Sequence, residues 1–431
     1  MMNSLSLRND YFDNVKTSKS KIELIVAVVL MAGFIEMTVE AIFSAIHFYF
    51  LLSIIRYIDV IIYLFSFPVL ICESYKLKEN VCKKSLLKVS FLFFLLLVLF
   101  LLFSAKNTFI VSTFISSHVR ILFVAPIFFF CSLLPFNSNK LIRYLSVGIW
   151  LSVLYSVLSV FLLNTDYMTF SYNILVYSMI SYHLFSTTKK KKYLFAFLIL
   201  AGFITVAGSR GAAACLVAFF LTHIFFFGKI SSAKKTLIVI ITGSLFLAVL
   251  VFSEQIFGIL SRLFPNSRSI EMLKEGTITN DSYRFDIWRF LFTQLKASPF
   301  QMRGFYADRE IIYKTFAGTN DLGHWIGTDS YHYAHNIFAE LLFDFGIILG
   351  GFFCLIILRI LFAFISRAHK RKDSLSAIML IIAFSFFLPL CFSSSFLLSV
   401  EFWFFLGFIS KIHKREKITV DCPIRQTKRY L

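Results

Sequence analysis

Apolar runs of about twenty residues, parted again and again by short clusters of lysine and arginine, leave this 431-residue chain few ways to fold. Water cannot host all of them: 58% of the residues are hydrophobic and 18% aromatic, with 56 phenylalanines, far beyond the composition of an ordinary soluble globule. A bilayer can, because a helix of about 20 residues crosses about 30 Å of hydrocarbon while satisfying its own backbone hydrogen bonds.

Spans are read at 22–46, 48–72, 89–105, 109–134, 141–163, 169–186, 193–208, 211–227, 236–253, 336–358, 374–392 and 395–410. With the N-terminus inside, the basic stretches 76–88, 137–143, 189–192, 229–235, 367–372 and the tail from Lys411 all fall on the cytoplasmic side, as orientation by positive charge requires. The expected fold class is therefore an all-α polytopic membrane protein of about twelve transmembrane helices, with both termini cytoplasmic. The first fifty or so apolar residues, 22–72, leave room for a re-entrant turn around Arg56 and Asp59. The N-terminal basic segment is not followed by a short apolar core and a small-residue cleavage site, so no removable signal peptide is read. The net charge of +19 is spent on these orientation signals. Membrane lipid is thus an expected partner and nucleic acid is not.

The same count puts residues 254–335 outside as one large loop, between an N-terminal bundle (1–253) and C-terminal helices (336–410) with a basic tail (411–431). Residues 254–334 balance nine basic against nine acidic side chains, and none of the seven cysteines lies among them. No disulfide can hold this loop, so it must pack on the helices or the membrane surface. Within it, Asp281-Ser282 can cap an amphipathic helix carrying Phe285, Trp288, Leu291, Phe292 and Leu295, which Ser298-Pro299 ends.

Three polar side chains stand at helix starts on the outer side. Arg284 lies in the first turn of the amphipathic helix, where a cation is locally unfavourable unless an anion sits beside it; pairing with Asp281 or Asp286 is the alternative. Arg210 follows Ser209, which can cap the next span; a snorkelling anchor is the alternative there. His335 precedes Asn336, another candidate cap, and a neutral imidazole at that junction can take a proton from an attacking hydroxyl. A structural loop-end histidine is its alternative, and His332 is its nearest competitor. His332 and His335 have metal-ligand spacing, but no cysteine and only scattered carboxylates accompany them, so no metal and no cofactor are expected. Arg120, inside a predicted span, can line a lipid or acceptor cavity; internal ion pairing is its alternative.

These residues resemble a family. Ser209-Arg210-Gly211-Ala212, then Arg284 with Trp288 and Ser298-Pro299 leading to Gly304, then His335-Asn336-Ile337-Phe338-Ala339-Glu340 with Gly346-Ile347 and Gly350, are similar to the O-antigen polymerase and ligase superfamily. Its members are bacterial inner-membrane glycosyltransferases with a large periplasmic loop. Met302-Arg303-Gly304-Phe305-Tyr306 departs from the glycine-rich form usual after the proline. The resemblance implies an undecaprenyl-diphosphate-linked oligosaccharide donor and inverting, metal-independent transfer, with a chain-length regulator protein as a further partner. It also implies Arg210 and Arg284 as diphosphate clamps and His335 as the base. Ser209, Asn336, Glu340, His332, Arg303 and Arg120 complete the expected substrate-binding set. The Ser-Arg-Gly-Ala and His-Asn-Ile-Phe forms resemble polymerases, which extend a lipid-linked repeat, more than ligases, which transfer the glycan to the lipid A core. A transporter or flippase for lipid-linked sugars is the alternative of another class. It would need a polar path and usually two related halves, and no internal repeat is evident.

Overall fold

A computed structural model describes residues 2–77, 79–103, 120–161, 167–207, 209–227, 237, 284–316, 333–371, 373–397 and 399–420. Those residues are almost wholly helical, and no strand occurs among them. In order, the α-helices are α1 (Met2–Ala45), α2 (Leu52–Ile55), α3 (Ile58–Leu77), α4 (Glu79–Phe103), α5 (Ala125–Leu133), α6 (Ser138–Leu145), α7 (Val147–Phe161) and α8 (Tyr167–Thr188). They continue with α9 (Lys191–Ala207), α10 (Arg210–Phe227), α11 (Arg284–Ala297), α12 (Ala307–Phe316), α13 (Ile337–Arg371), α14 (Ser374–Ile382) and α15 (Val400–Val420).

Among the described residues, seven stretches are long and apolar enough to cross a membrane: Ser20–Ala45, Leu52–Leu77, Glu79–Leu102, Ser138–Ser159, Arg210–Phe227, Ile337–Lys370 and Ser374–Cys391. Leu122–Leu133 and Val400–Ser410 are shorter apolar helices. Apart from Leu237, the expected span 236–253 lies outside the described residues, as do residues 109–119 of the expected span 109–134. The chain does break before α3: a 3-10 turn at Tyr49–Leu51 and the single turn of α2 precede it, and Arg56 reaches Glu40 at 3.4 Å.

Small residues let the helices come close, as membrane packing demands. A Cβ on Gly407 of α15 would lie 2.9 Å from the carbonyl oxygen of Phe129 in α5. Beside that crossing Phe136 stacks on Phe408 with an interplanar angle of 6°. Glu23 of α1 is fully buried, and its carboxylate accepts the Asn137 N–H at 2.7 Å and faces Lys140 at 3.6 Å.

The expected single span at 336–358 is two helices. Gly346, at φ 71° and ψ 172°, interrupts α13, and the arms fold back on each other. The Cys354 thiol lies 3.9 Å from the Phe338 carbonyl oxygen, although a straight helix would separate these residues by about 24 Å. A Cβ on Gly350 would sit 2.2 Å from the Leu341 oxygen. Hydropathy missed the break because both arms are apolar.

The stretch after Pro299 braces this fold-back. The N–H groups of Arg303 and Gly304 donate to the Asp344 carbonyl at 2.8 and 2.9 Å, and Ile347 N–H donates to the Pro299 carbonyl at 2.8 Å. The Arg303 guanidinium donates to the carbonyls of Gln294, Ser298 and Phe343 at 3.3 Å and of Gln301 at 3.4 Å, and lies 4.5 Å from the Phe343 ring centre. Arg303 thus staples the end of α11 to the short arm of α13. Its loss in Arg303→Ala should cost about 2 kcal/mol, since bonds donated by a charged group are worth more than neutral ones. A lowered thermal unfolding midpoint in detergent is the expected reading.

The amphipathic helix is present as α11, but its buried stripe is Ile287, Leu291 and Leu295, whereas Phe285 and Phe292 are exposed. Ile287 and Leu291 pack with Ala307, Ile312, Ala334, Ala339 and Phe343, so the loop helices rest on the short arm of α13. The second loop helix, α12, was not read from sequence, because the charged Asp308-Arg309-Glu310 masks its one-sided burial.

Candidate functional site

Each expected polar residue is held by local chemistry that its sequence specifies. Ser209 caps α10, its Oγ accepting Ala212 N–H at 3.4 Å. Asn336 caps α13, its Oδ1 accepting the N–H groups of Phe338 and Ala339 at 2.9 and 3.1 Å. With the caps in place, Arg210 begins α10 and His335 is the last residue before the Asn336 cap. Arg284 begins the described part of α11; Asp281 and Ser282, read as its cap, lie outside the described residues.

One turn collects these elements. The chain leaves its helical path after residues 388–391, and the carbonyls of Cys391, Phe392 and Ser393 accept, in order, the Asn336 side-chain amide at 2.9 Å, the Arg284 guanidinium at 2.8 Å and the Tyr333 hydroxyl at 2.7 Å. The start of α10 reaches the same place. A Cβ on Gly211 would fall 2.1 Å from the Tyr172 hydroxyl and 3.1 Å from the Phe392 ring, so only glycine lets that helix approach. Arg210, Arg284 and His335 are therefore brought to one end of the bundle around the turn at 391–393. The Nε of Arg284 is buried and has no hydrogen-bond partner among the described residues, which leaves a donor available for a ligand oxygen.

His335 is held in a left-handed backbone conformation, φ 52°, which is uncommon for a residue with a side chain, though histidine is among those that tolerate it. The peptide before it is clamped on both sides. Ala334 N–H donates to Asp308 Oδ2 at 2.8 Å, and the Ala334 carbonyl accepts from the Trp288 indole at 2.6 Å. Trp288 stands one helical turn from Arg284, so this bond fixes the arginine's helix beside the histidine's loop. The Tyr333 ring lies 4.0 Å from the His335 ring, with Arg309 on it at 4.9 Å. Trp288→Phe keeps the ring and removes the bond to Ala334. An activity loss of about fivefold and a stability loss of about 1 kcal/mol are the expected outcome, because one net hydrogen bond is worth about that much; turnover and thermal unfolding, measured together, test it.

Behind the clamp, Asp308, Glu340 and Asp344 are all fully buried, with one carboxylate oxygen of each within 4.8 Å of the others. Asp344 accepts the Asp308 N–H at 3.1 Å, and Glu340 accepts the Ser395 hydroxyl. Burial raises the Asp308 carboxyl above its ordinary range, opposed by the charge of Arg309 and the N–H of Ala334. These three are the group, among the described residues, with positions suited to a metal ion. Glu340, one of the expected substrate-binding residues, sits in this buried cluster. Of the remaining expected residues, Arg303 is engaged in the staple described above and Arg120 opens a π-helical turn, Arg120–Val124. The Arg120 side chain and the whole of His332 lie outside the described residues.

Sequence reasoning missed Asp308, Arg309, Asp344 and the turn itself. The available signals were the Glu340/Asp344 spacing of four, which sets two carboxylates on one helix face in an apolar run, and the serines 393–395 interrupting another.

Residues 195–354 match a family model described as O-Antigen ligase. The match holds the starts of α10, α11 and α13 but stops short of the turn at 391–393. No curated protein matches the chain.

Proposed function

Taking residues 195–354 as a domain of the O-antigen polymerase and ligase superfamily, we propose that the protein is a membrane glycosyltransferase of polymerase type. It moves a glycan from an undecaprenyl-diphosphate donor onto a sugar hydroxyl of a lipid-linked repeat, at the periplasmic face of the inner membrane. The observation that carries this reading is the gathering of Arg284, Asn336 and Tyr333 on consecutive carbonyls of one turn, with the start of α10 against it.

Arg210 and Arg284 hold the diphosphate, since a guanidinium stays charged and its planar fork matches phosphate oxygens. Neutralising the departing diphosphate lowers the barrier to breaking the anomeric bond. His335 takes the proton of the acceptor hydroxyl as it attacks from the opposite face, which inverts the anomeric centre. Ser209 and Asn336 position these groups as helix caps. Asp308 and Trp288 hold the Ala334 peptide, and so the histidine backbone, in place. No metal ion enters these steps.

Purified protein given lipid-linked repeat, with and without chelator, tests the reading. Chain growth should survive chelation and be lost in Arg210→Ala, Arg284→Ala and His335→Ala; dependence on a divalent ion would overturn the metal-free mechanism. The description of the matched family favours a ligase as the second reading. Deleting the gene separates the two: a polymerase deletion leaves lipopolysaccharide capped by a single repeat, a ligase deletion leaves bare core.

A further inference from the structure

At the other end of α8 and α10 from the site lies a cavity of about 500 Å³, a volume suited to a small ligand. Thr187 and Phe227 line it. They stand about 22–24 Å along these helices from Tyr172 and Gly211, which pack at the site, at 1.5 Å per residue. The cavity is therefore remote from the site.

Its lining is mixed in a definite way. Arg143 and Lys190 supply two cations, Asn139 and Thr188 supply polar groups, and Ile142 and Leu184 supply apolar wall. Within the lysine run, Lys189 and Lys192 lie over the rings of Phe185 and Tyr193, at 5.9 and 5.2 Å, while Lys190 lines the cavity. The one carboxylate among the described lining residues, Asp373, caps α14: its Oδ1 accepts the N–H and the hydroxyl of Ser376 at 2.9 and 2.8 Å. His183, 5% exposed, places its Nδ1 3.1 Å from His223 Nε2, an arrangement that requires at least one of the two rings to be neutral. With both rings neutral, the described lining residues carry one net positive charge.

We propose that this cavity binds a phosphate ester, supplied by the headgroup of an anionic phospholipid. A phosphodiester carries the single negative charge that the lining lacks. Arginine and lysine between membrane helices, at the end of the bundle that bears the lysine runs, are where such headgroups bind. The apolar wall of Ile142, Leu184 and Phe227 accommodates the start of an acyl chain, which a soluble anion would leave bare.

The experiment uses the full chain in detergent, titrated with phosphatidylglycerol or phosphatidylcholine and read by native mass spectrometry, with inorganic phosphate as the soluble probe. Wild type should retain phosphatidylglycerol at concentrations where phosphatidylcholine leaves it bare. Arg143→Gln/Lys190→Gln should weaken retention about tenfold or more. Thr187→Trp, which fills the cavity and keeps every charge, should weaken it likewise. Inorganic phosphate that binds alone, and is lost in the same variants, would keep the phosphate chemistry and make the source soluble. Phosphatidylglycerol binding that is indifferent to both variants, or no binding of either probe, overturns the proposal. None of these residues belongs to the glycan-transfer site, so chain growth in the same variants should match wild type whatever the lipid result.

Discussion

Gly346→Ala should accumulate poorly and lose activity together with stability. The glycine sits at φ 71° and ψ 172°, a region that only glycine enters readily, and a side chain there costs about 1–3 kcal/mol in backbone strain. Space is also lacking: a Cβ would stand 3.1 Å from the Gln301 oxygen and 3.2 Å from the Pro299 oxygen. Those atoms belong to the backbone brace whose N–H and carbonyl groups close on Asp344 and Ile347, so they cannot swing aside as a side-chain tip would. Overpacking adds about 1–3 kcal/mol more. The fold-back carries Asn336, the cap beside His335, so its loosening should reach the site. Thermal unfolding and chain growth, measured on the same preparation, should fall together; a wild-type midpoint in Gly346→Ala would show that the break is not a constraint.

His335→Ala should lose about 10²–10⁴ in rate, the usual worth of a general base, while the protein still accumulates in the membrane. The backbone complicates a simple reading, because His335 holds φ 52° and alanine accepts that conformation poorly. Asparagine adopts it readily and cannot act as a base near neutral pH. His335→Asn should therefore be as inactive as His335→Ala and at least as stable. Chain growth within about threefold of wild type in His335→Asn would remove the histidine from the proton transfer, since a base worth so little falls below the range for such catalysis.

Much of this was legible in the residues themselves. Ser209 and Asn336 were readable as caps because an oxygen at that position satisfies helix N–H groups wherever the helix sits. α11 was readable from its apolar period, but not which of its apolar residues the protein itself covers: Ile287, Leu291 and Leu295 are buried and Phe285 and Phe292 are exposed. Period fixes which residues share a stripe, but which stripe is covered depends on the partner, here α12 and the short arm of α13. Arg303 looked like a ligand for substrate because its type suits phosphate; four nearby carbonyls give it a different task. Glu340 was readable as a polar residue one turn into a helix, but its company, Asp308, Asp344 and Ser395, was not.

From its sequence alone, then, this chain is a helical membrane protein with polar helix starts at Arg210, Arg284 and His335, because apolar length, basic clusters and caps act on neighbours along the chain. Tertiary structure decided where those starts meet. The carbonyls of Cys391, Phe392 and Ser393 that gather them are 55 to 108 residues away from the side chains they hold. A backbone carbonyl is the same chemical group at every position, so no residue type announces which one will be the partner.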